Sequence, residues 1–246
     1  MHLSWDDISS RFYKVGLDHG VLYLYNDEAY TSGVAWNGLS SIEDSSSGHE
    51  KELLYTADFR SNILFTPKEF GGSIKCYTYP DEFEECIGNE EIAPGLFAEE
   101  SDGSMFGLSY RTKIGSSVDP NFAYELHLIY GAYVTEAKDS AATIGENVNV
   151  GAMSFSFECI GEEFEGHDPC AHFKIDSRRV PKDQMDTIEA ILYGTDETDP
   201  RLPLPDELLE ILAAPIEPAE YEGYPDERVF PENSIFPEQP IAEEEP

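Results

Sequence analysis

Apolar and polar residues alternate with period two along much of this chain. Met153, Phe155, Phe157 and Cys159 fall on one side of a run from Gly151 to Ile160, with Ser154, Ser156 and Glu158 on the other. The same period joins Phe106, Leu108, Tyr110, Thr112 and Ile114, and then Tyr124, Leu126, Leu128 and Tyr130. Ala171, Phe173 and Ile175 make a shorter run, and VLYLY (21–25) and GVAWNGLSSI (33–42) fit the scheme. One apolar and one polar face per strand predicts antiparallel sheets packed as a sandwich or partial barrel. EDSSSGHE (43–50), rich in Asp, Ser and Gly, reads as a long loop after the early strands.

Helical signals are few. Thr66-Pro67-Lys68-Glu69 reads as a capping box that Gly71 and Gly72 limit to about a turn. Pro80 to Gly88 carries the same punctuation, Pro entering and Gly leaving. The strongest helix runs from Pro181 to Gly194, with Met185, Ile188, Ile191 and Leu192 as one apolar stripe to lie across a sheet. A short helix, Asp206 to Leu212, follows a Pro-rich bend. The predicted fold is mostly β, two packed antiparallel sheets with one main flanking helix and long loops.

Composition divides the chain in two. Residues 1–214 read as the folded β domain, and 215–246 turn to Pro and Glu. That tail holds ten acids against one Arg, −9 of the total −35, which leaves −26 on the body. Its seven prolines fix φ and remove backbone donors, so extended chain without its own core is expected. Tyr221, Tyr224, Phe230, Ile235 and Phe236 within it are candidate anchors on a neighbour.

The charge excludes whole classes of function. Fifteen basic residues against 50 acidic ones repel phosphates and anionic membranes, and the Lys and Arg are scattered singly. A conventional nucleic-acid binder is therefore excluded. No apolar run approaches the roughly 20 residues that span a bilayer. The first residues, MHLSWDDISSRF, lack the basic and apolar regions of a signal peptide, so synthesis in a cytosol is expected. Cys76, Cys86, Cys159 and Cys170 are irregularly spaced and expected to be reduced thiols.

Candidate chemistry is sparse. His167, Cys170 and His172 lie close in sequence with Cys159 one strand away, but no CxxC or HxxxH pair is present. Alternation sends His172 outward with Lys174 and Asp176 while Cys159 joins the apolar face, so the group reads as surface histidines and a buried thiol. His127 likewise falls on the polar face of its strand. Ser116 and Ser117 sit in a predicted hairpin loop. With 50 acids, adjacent pairs such as Asp81-Glu82 and Glu84-Glu85 have no diagnostic value. GxSxG, GxxxxGK[ST] and GxGxxG are absent. No catalytic, cofactor-binding or metal-ligating residue, and no cofactor, is expected; the chain reads as a non-enzyme.

Two stretches carry more punctuation than an ordinary surface needs: YTYPDEFEECIG (77–88) and LYGTDETDPRLPLPDELLEIL (192–212). They read either as caps and turns or as rigid loops at subunit contacts. Together with VGLDHGVLYLY (15–25), GVAWNGLSSIEDSSSGHE (33–50), KEFGGSIKCYTYPDEFEEC (68–86), MFGLSYRTKIG (105–115) and YELHLIYGAYV (124–134), they make the chain resemble a known family. It is similar to the major tail (tail tube) proteins of long, non-contractile-tailed bacteriophages, siphophage-like and of Gram-positive hosts. The strings run in order over roughly residues 12 to 212. The acidic tail departs from that pattern.

The resemblance implies a tail-tube β domain whose copies join in hexameric rings that stack into a tube. DNA would pass through the bore to the host during genome ejection, without specific binding and past an acidic wall. It also implies a virion location after synthesis in the host cytoplasm. Tape measure, tail terminator and distal tail proteins would be partners, with no membrane. EDSSSGHEKE would serve ring stacking. Two other readings stand beside it: a tube subunit of a phage-derived particle (a tail-like bacteriocin or gene-transfer particle), and a cation-dependent carbohydrate-binding β-sandwich.

Overall fold

A computed structural model gives the architecture. It describes residues 5, 11–48, 51–56, 59–65, 68–99, 102–117, 119–120, 122–139 and 151–213, with backbone only at 47–48, 51–56, 59–65 and 68. All belong to the unit Met1–Ala214, and the acidic tail with its aromatic anchors lies outside the described residues.

The first half of the chain is laid out as β1 (Phe12–Asn26), β2 (Ala29–Ala35), β3 (Leu39–Gly48), β4 (Lys51–Thr56), β5 (Phe59–Phe65), β6 (Lys68–Cys76), α1 (Phe83–Cys86), β7 (Asn89–Ala93) and β8 (Leu96–Glu99). The second half follows as β9 (Phe106–Ser116), β10 (Ala123–Lys138), β11 (Met153–Cys159), β12 (Glu162–Phe164), β13 (His167–Cys170), β14 (His172–Asp176), α2 (Lys182–Tyr193) and α3 (Pro205–Ala213). The fold is mostly β, as the alternation predicts. Asp27 and Glu28, both at positive φ, turn β1 into β2 in the mirror-image geometry that suits a twisted hairpin.

One antiparallel sheet runs β2-β1-β9-β10-β11-β6-β3, and β14 also pairs with β10. It forks along β10. Residues 125–129 pair with β14, whereas 132–138 pair with β11 on the same edge. Gly131 makes the switch. Its φ is +57°, and a Cβ there would meet the Ile160 carbonyl oxygen at 2.1 Å. Its carbonyl accepts from the Ile160 N–H at 2.8 Å, while the Tyr130 N–H donates to Ala171 at 2.9 Å. The residue before the switch thus bonds one branch and the switch residue bonds the other.

The fork creates two wings, which are the two packed layers of the sandwich. One apolar core lies between them, joining Leu22, Phe106, Leu108 and Ile129 to Ile74, Phe155 and Phe157. Phe83 of α1, fully buried, plugs it with Trp36 at 4.6 Å, Phe155 at 5.1 Å and Phe106 at 5.4 Å between ring centroids. On the opposite face of the β1-β9-β10-β14 wing, Val21, Tyr23, Leu126, Leu128 and Ile175 meet Met185, Ile188 and Leu192 of α2 and Leu208 of α3. Pro181 precedes α2 and Gly194, at φ +76°, ends it, as the punctuation predicts.

Two local readings are corrected. Glu43–Gly48 is strand, not loop: β3 pairs with β6 as far as Gly48↔Lys68. Lys68-Glu69 likewise opens strand β6 rather than a helical turn, and Thr66 and Pro67 lie outside the described residues. The reason is shared. A Cβ on Gly72 would meet the Glu43 carbonyl oxygen at 2.3 Å, and one on Gly71 the Phe157 carbonyl oxygen at 2.6 Å. The glycine pair admits the backbones of β3 and β11 rather than stopping a helix.

Candidate functional site

β3, β6, β11 and residues 132–138 of β10 form a four-stranded antiparallel wing, and the register fixes what its outer face presents. Tyr133, Glu158, Gly71 and Ser45 stand in one cross-strand row. Glu136, Ser156, Ser73 and Glu43 make the next, then Lys138, Ser154, Lys75 and Ser41. The face is therefore built from Ser, Gly and Glu, while Ile74, Phe155 and Phe157 of the same strands point into the core. Its two lysines are tied down. Lys75 Nζ lies 2.6 Å from Glu43 and Lys138 Nζ 2.7 Å from Glu136. Tyr133 donates to Glu158 at 2.9 Å. Over the bare glycines the face holds an open groove of about 540 Å³ bordered by Glu43, Glu69, Tyr133 and Glu158.

The wing has two open edges. Among the described residues, β3 pairs only with β6, and pairing of β9 with β10 ends at Ala132↔Phe106. That leaves 133–138 of β10 unpaired on the side away from β11. Charged residues border both edges, Glu43 and Asp44 on one, Glu136 and Lys138 on the other, which discourages indiscriminate pairing. The other end of the sheet is closed. The segment after α2 runs along β2, with the Gly33 N–H donating to Pro200 at 2.9 Å and the Leu202 N–H to Tyr30 at 3.1 Å. The Tyr130 hydroxyl donates to the Pro203 carbonyl at 2.7 Å beneath it. Of the two heavily punctuated stretches, 192–212 thus covers the β2 edge and 77–88 carries the Phe83 plug.

A separate apolar spot is exposed on the β7–β8 hairpin, where Ile92, Leu96 and Phe97 are all largely solvent-facing.

Among the histidines and cysteines, His172 is placed differently from expectation. His167 is exposed and stacks on Phe164 at 4.8 Å, away from the rest. The Cys170 thiol contacts the His172 carbonyl oxygen at 3.4 Å, and all four cysteines are free. Burial pushes the Cys159 thiol up to about 12 and Cys76 up to about 11, which makes both poor nucleophiles. His172 does not point outward. The polar face of β10 and β14 turns toward the other wing, so the His127 and His172 side chains are only 5% and 8% exposed. His127 Nδ1 is 3.1 Å from His172 Nε2, and Asp44 of β3 approaches from the opposite wing. Alternation identifies the face, but it does not report that a second layer covers it.

No protein-family model matches the chain, and no curated protein matches it. Several solved structures are similar in fold. One is the SPP1 tail tube determined by solid-state NMR and cryo-EM, at 16% identity and TM-score 0.36, covering 64% of this chain and 76% of that one. Another is from an extracellular contractile injection system, the PVC sheath–tube complex in its extended state. It is 10% identical with TM-score 0.31, covering 71% of this chain and 100% of that one.

Proposed function

We propose that this chain is the subunit of a phage tail tube, with a structural rather than a catalytic role. The observation that carries the reading is the four-stranded wing with two open edges. Its strands alternate in direction, so β3 and β10 run antiparallel to one another. An even number of strands lets the open edge of β3 in one copy meet 133–138 of β10 in the next while antiparallel pairing continues around the ring. Such a contact is heterologous and closes only by rotation, and closure removes the unpaired edges. The ordered sequence strings of the tail tube family supply the same reading independently. Of the solved structures similar to this chain, one is a tail tube and another comes from a sheath–tube complex.

Size is consistent with the ring order that the family implies. Six copies of this wing give about 24 strands spaced about 4.8 Å apart, a backbone diameter of about 37 Å before tilt widens it. That bore admits a DNA duplex. In this arrangement the Ser/Gly/Glu face lines it. Short side chains, the carboxylates of Glu69 and Glu158 and ion-paired lysines give phosphates few places to adhere. Ile92, Leu96 and Phe97 serve stacking between rings. Virion location, tape measure, terminator and distal tail partners, and passage of DNA to the host follow from the same reading. The sequence reading of 215–246 as a tail without its own core predicts that limited proteolysis removes it while the body survives.

Cysteine cross-linking tests the ring. Ser46→Cys on β3 together with Thr135→Cys on β10 is expected to give covalent oligomers up to a closed ring under oxidation, and neither single variant does so. Assembled tubes whose double variant stays monomeric on denaturing gels would place the contact elsewhere.

A further inference from the structure

A polar cluster lies between the wings, where Asp44, His127 and His172 meet. We propose that Asp44, His127 and His172 form a binding site for a divalent transition-metal ion, zinc in the first instance. Each residue offers one ligand atom, and the three atoms lie within 4.8 Å of one another. The facing nitrogens of His127 and His172, 3.1 Å apart, stand close to the separation of about 3.3 Å that two ligand atoms take at tetrahedral zinc. Two imidazoles and a carboxylate leave a fourth position for water, the donor set of an open zinc site.

The surroundings are those that orient metal ligands. The other nitrogen of His127 lies 3.0 Å from the Thr112 hydroxyl and 3.6 Å from the Glu125 carboxylate. The Tyr110 hydroxyl donates to the other oxygen of Asp44 at 3.2 Å. Tyr110 stacks on His127 at 4.4 Å and Phe70 packs on His172 at 4.6 Å, fixing both ring planes. Such outer contacts set the tautomer and pre-orient the donors. Asp44 is 29% exposed and provides the way in. The competing cation is Lys174, whose Nζ lies 4.0 Å from Asp44 on a side chain 46% exposed and free to swing aside. Lys14, beyond Glu125, is paired with that carboxylate.

The ligands come from β3, β10 and β14, so both wings contribute. A bound ion clamps the open-edge strand β3 to the body of the subunit, and this holds whether or not the chain builds a tube.

Zinc and cobalt titrations of the metal-stripped full chain test the site, with His172→Gln and Thr112→Val alongside. Wild type is expected to bind one equivalent tightly, raise its melting temperature and give the intense visible absorption of tetrahedral cobalt. His172→Gln should lose the absorption and the thermal shift, and Thr112→Val should weaken binding about tenfold. Equal affinity in wild type and His172→Gln would show only the scattered acids holding metal and overturn the proposal. Should His172→Gln fail to fold, the wild-type cobalt spectrum decides alone. A weak octahedral spectrum, or no uptake, leaves the pair as a hydrogen-bonded His–His contact and refutes the site.

Discussion

Tyr30→Phe probes the fork that creates the two wings. Tyr30 is 2% exposed, its ring packed 4.9 Å from Tyr25 and 5.5 Å from Tyr130. Its hydroxyl accepts from the Gly131 N–H at 2.8 Å and donates to Glu162. Phenylalanine keeps the ring, so no sizeable cavity forms. The loss falls on the Gly131 N–H, buried at the one residue where β10 changes partners. Glu162 is only partly buried and regains water. Leaving a buried donor unsatisfied costs about 1–3 kcal/mol. For a chain of this size each kcal/mol lowers the melting temperature by roughly 2–4 °C. Urea unfolding of the unassembled subunit at constant m-value measures it. A variant within about 0.5 kcal/mol of wild type would refute the claim that this hydroxyl holds the fork.

Further predictions follow from the same contacts. Phe83→Ala removes the plug of the inter-wing core and should cost about 3–5 kcal/mol, read by the same urea titration. Alkali should destabilise the subunit: burial raises the folded pKa of Tyr79 and Tyr124 to about 12 and that of Tyr23, Tyr30 and Tyr110 further. Their stabilisation is complete below an unfolded pKa of about 10 and declines as pH rises from there toward the folded values; a urea midpoint that stays flat up to pH 11 would contradict this. Ser73→Lys with Ser156→Lys, on the proposed bore face, should leave monomer stability within about 0.5 kcal/mol, permit tubes and slow DNA ejection from particles carrying it. Unchanged ejection kinetics would remove that face from the bore.

Much of the fold is legible in the chain because most strands have one apolar face. The alternations in 106–114, 124–130 and 153–159 lie in β9, β10 and β11, and Pro181 and Gly194 bound α2. What escapes is what depends on a partner. The strand character of Glu43–Gly48 comes from pairing with β6 across Gly71 and Gly72, and its own residues carry no strand propensity. The fork rests on one glycine inside an apolar run, Tyr130-Gly131-Ala132, where only a positive φ distinguishes it. His127 and His172 lie on the polar faces that alternation assigns, yet those faces are covered by β3, and only tertiary structure brings Asp44 to them. The open edges are invisible for the same reason, since an unpaired edge is a property of the sheet and not of its residues.

Negative-stain microscopy of the purified full chain, concentrated and incubated, tests the central claim most directly. The account predicts tubes of uniform width with a regular axial repeat and an open bore. A population that stays as monodisperse monomers at high concentration would contradict it.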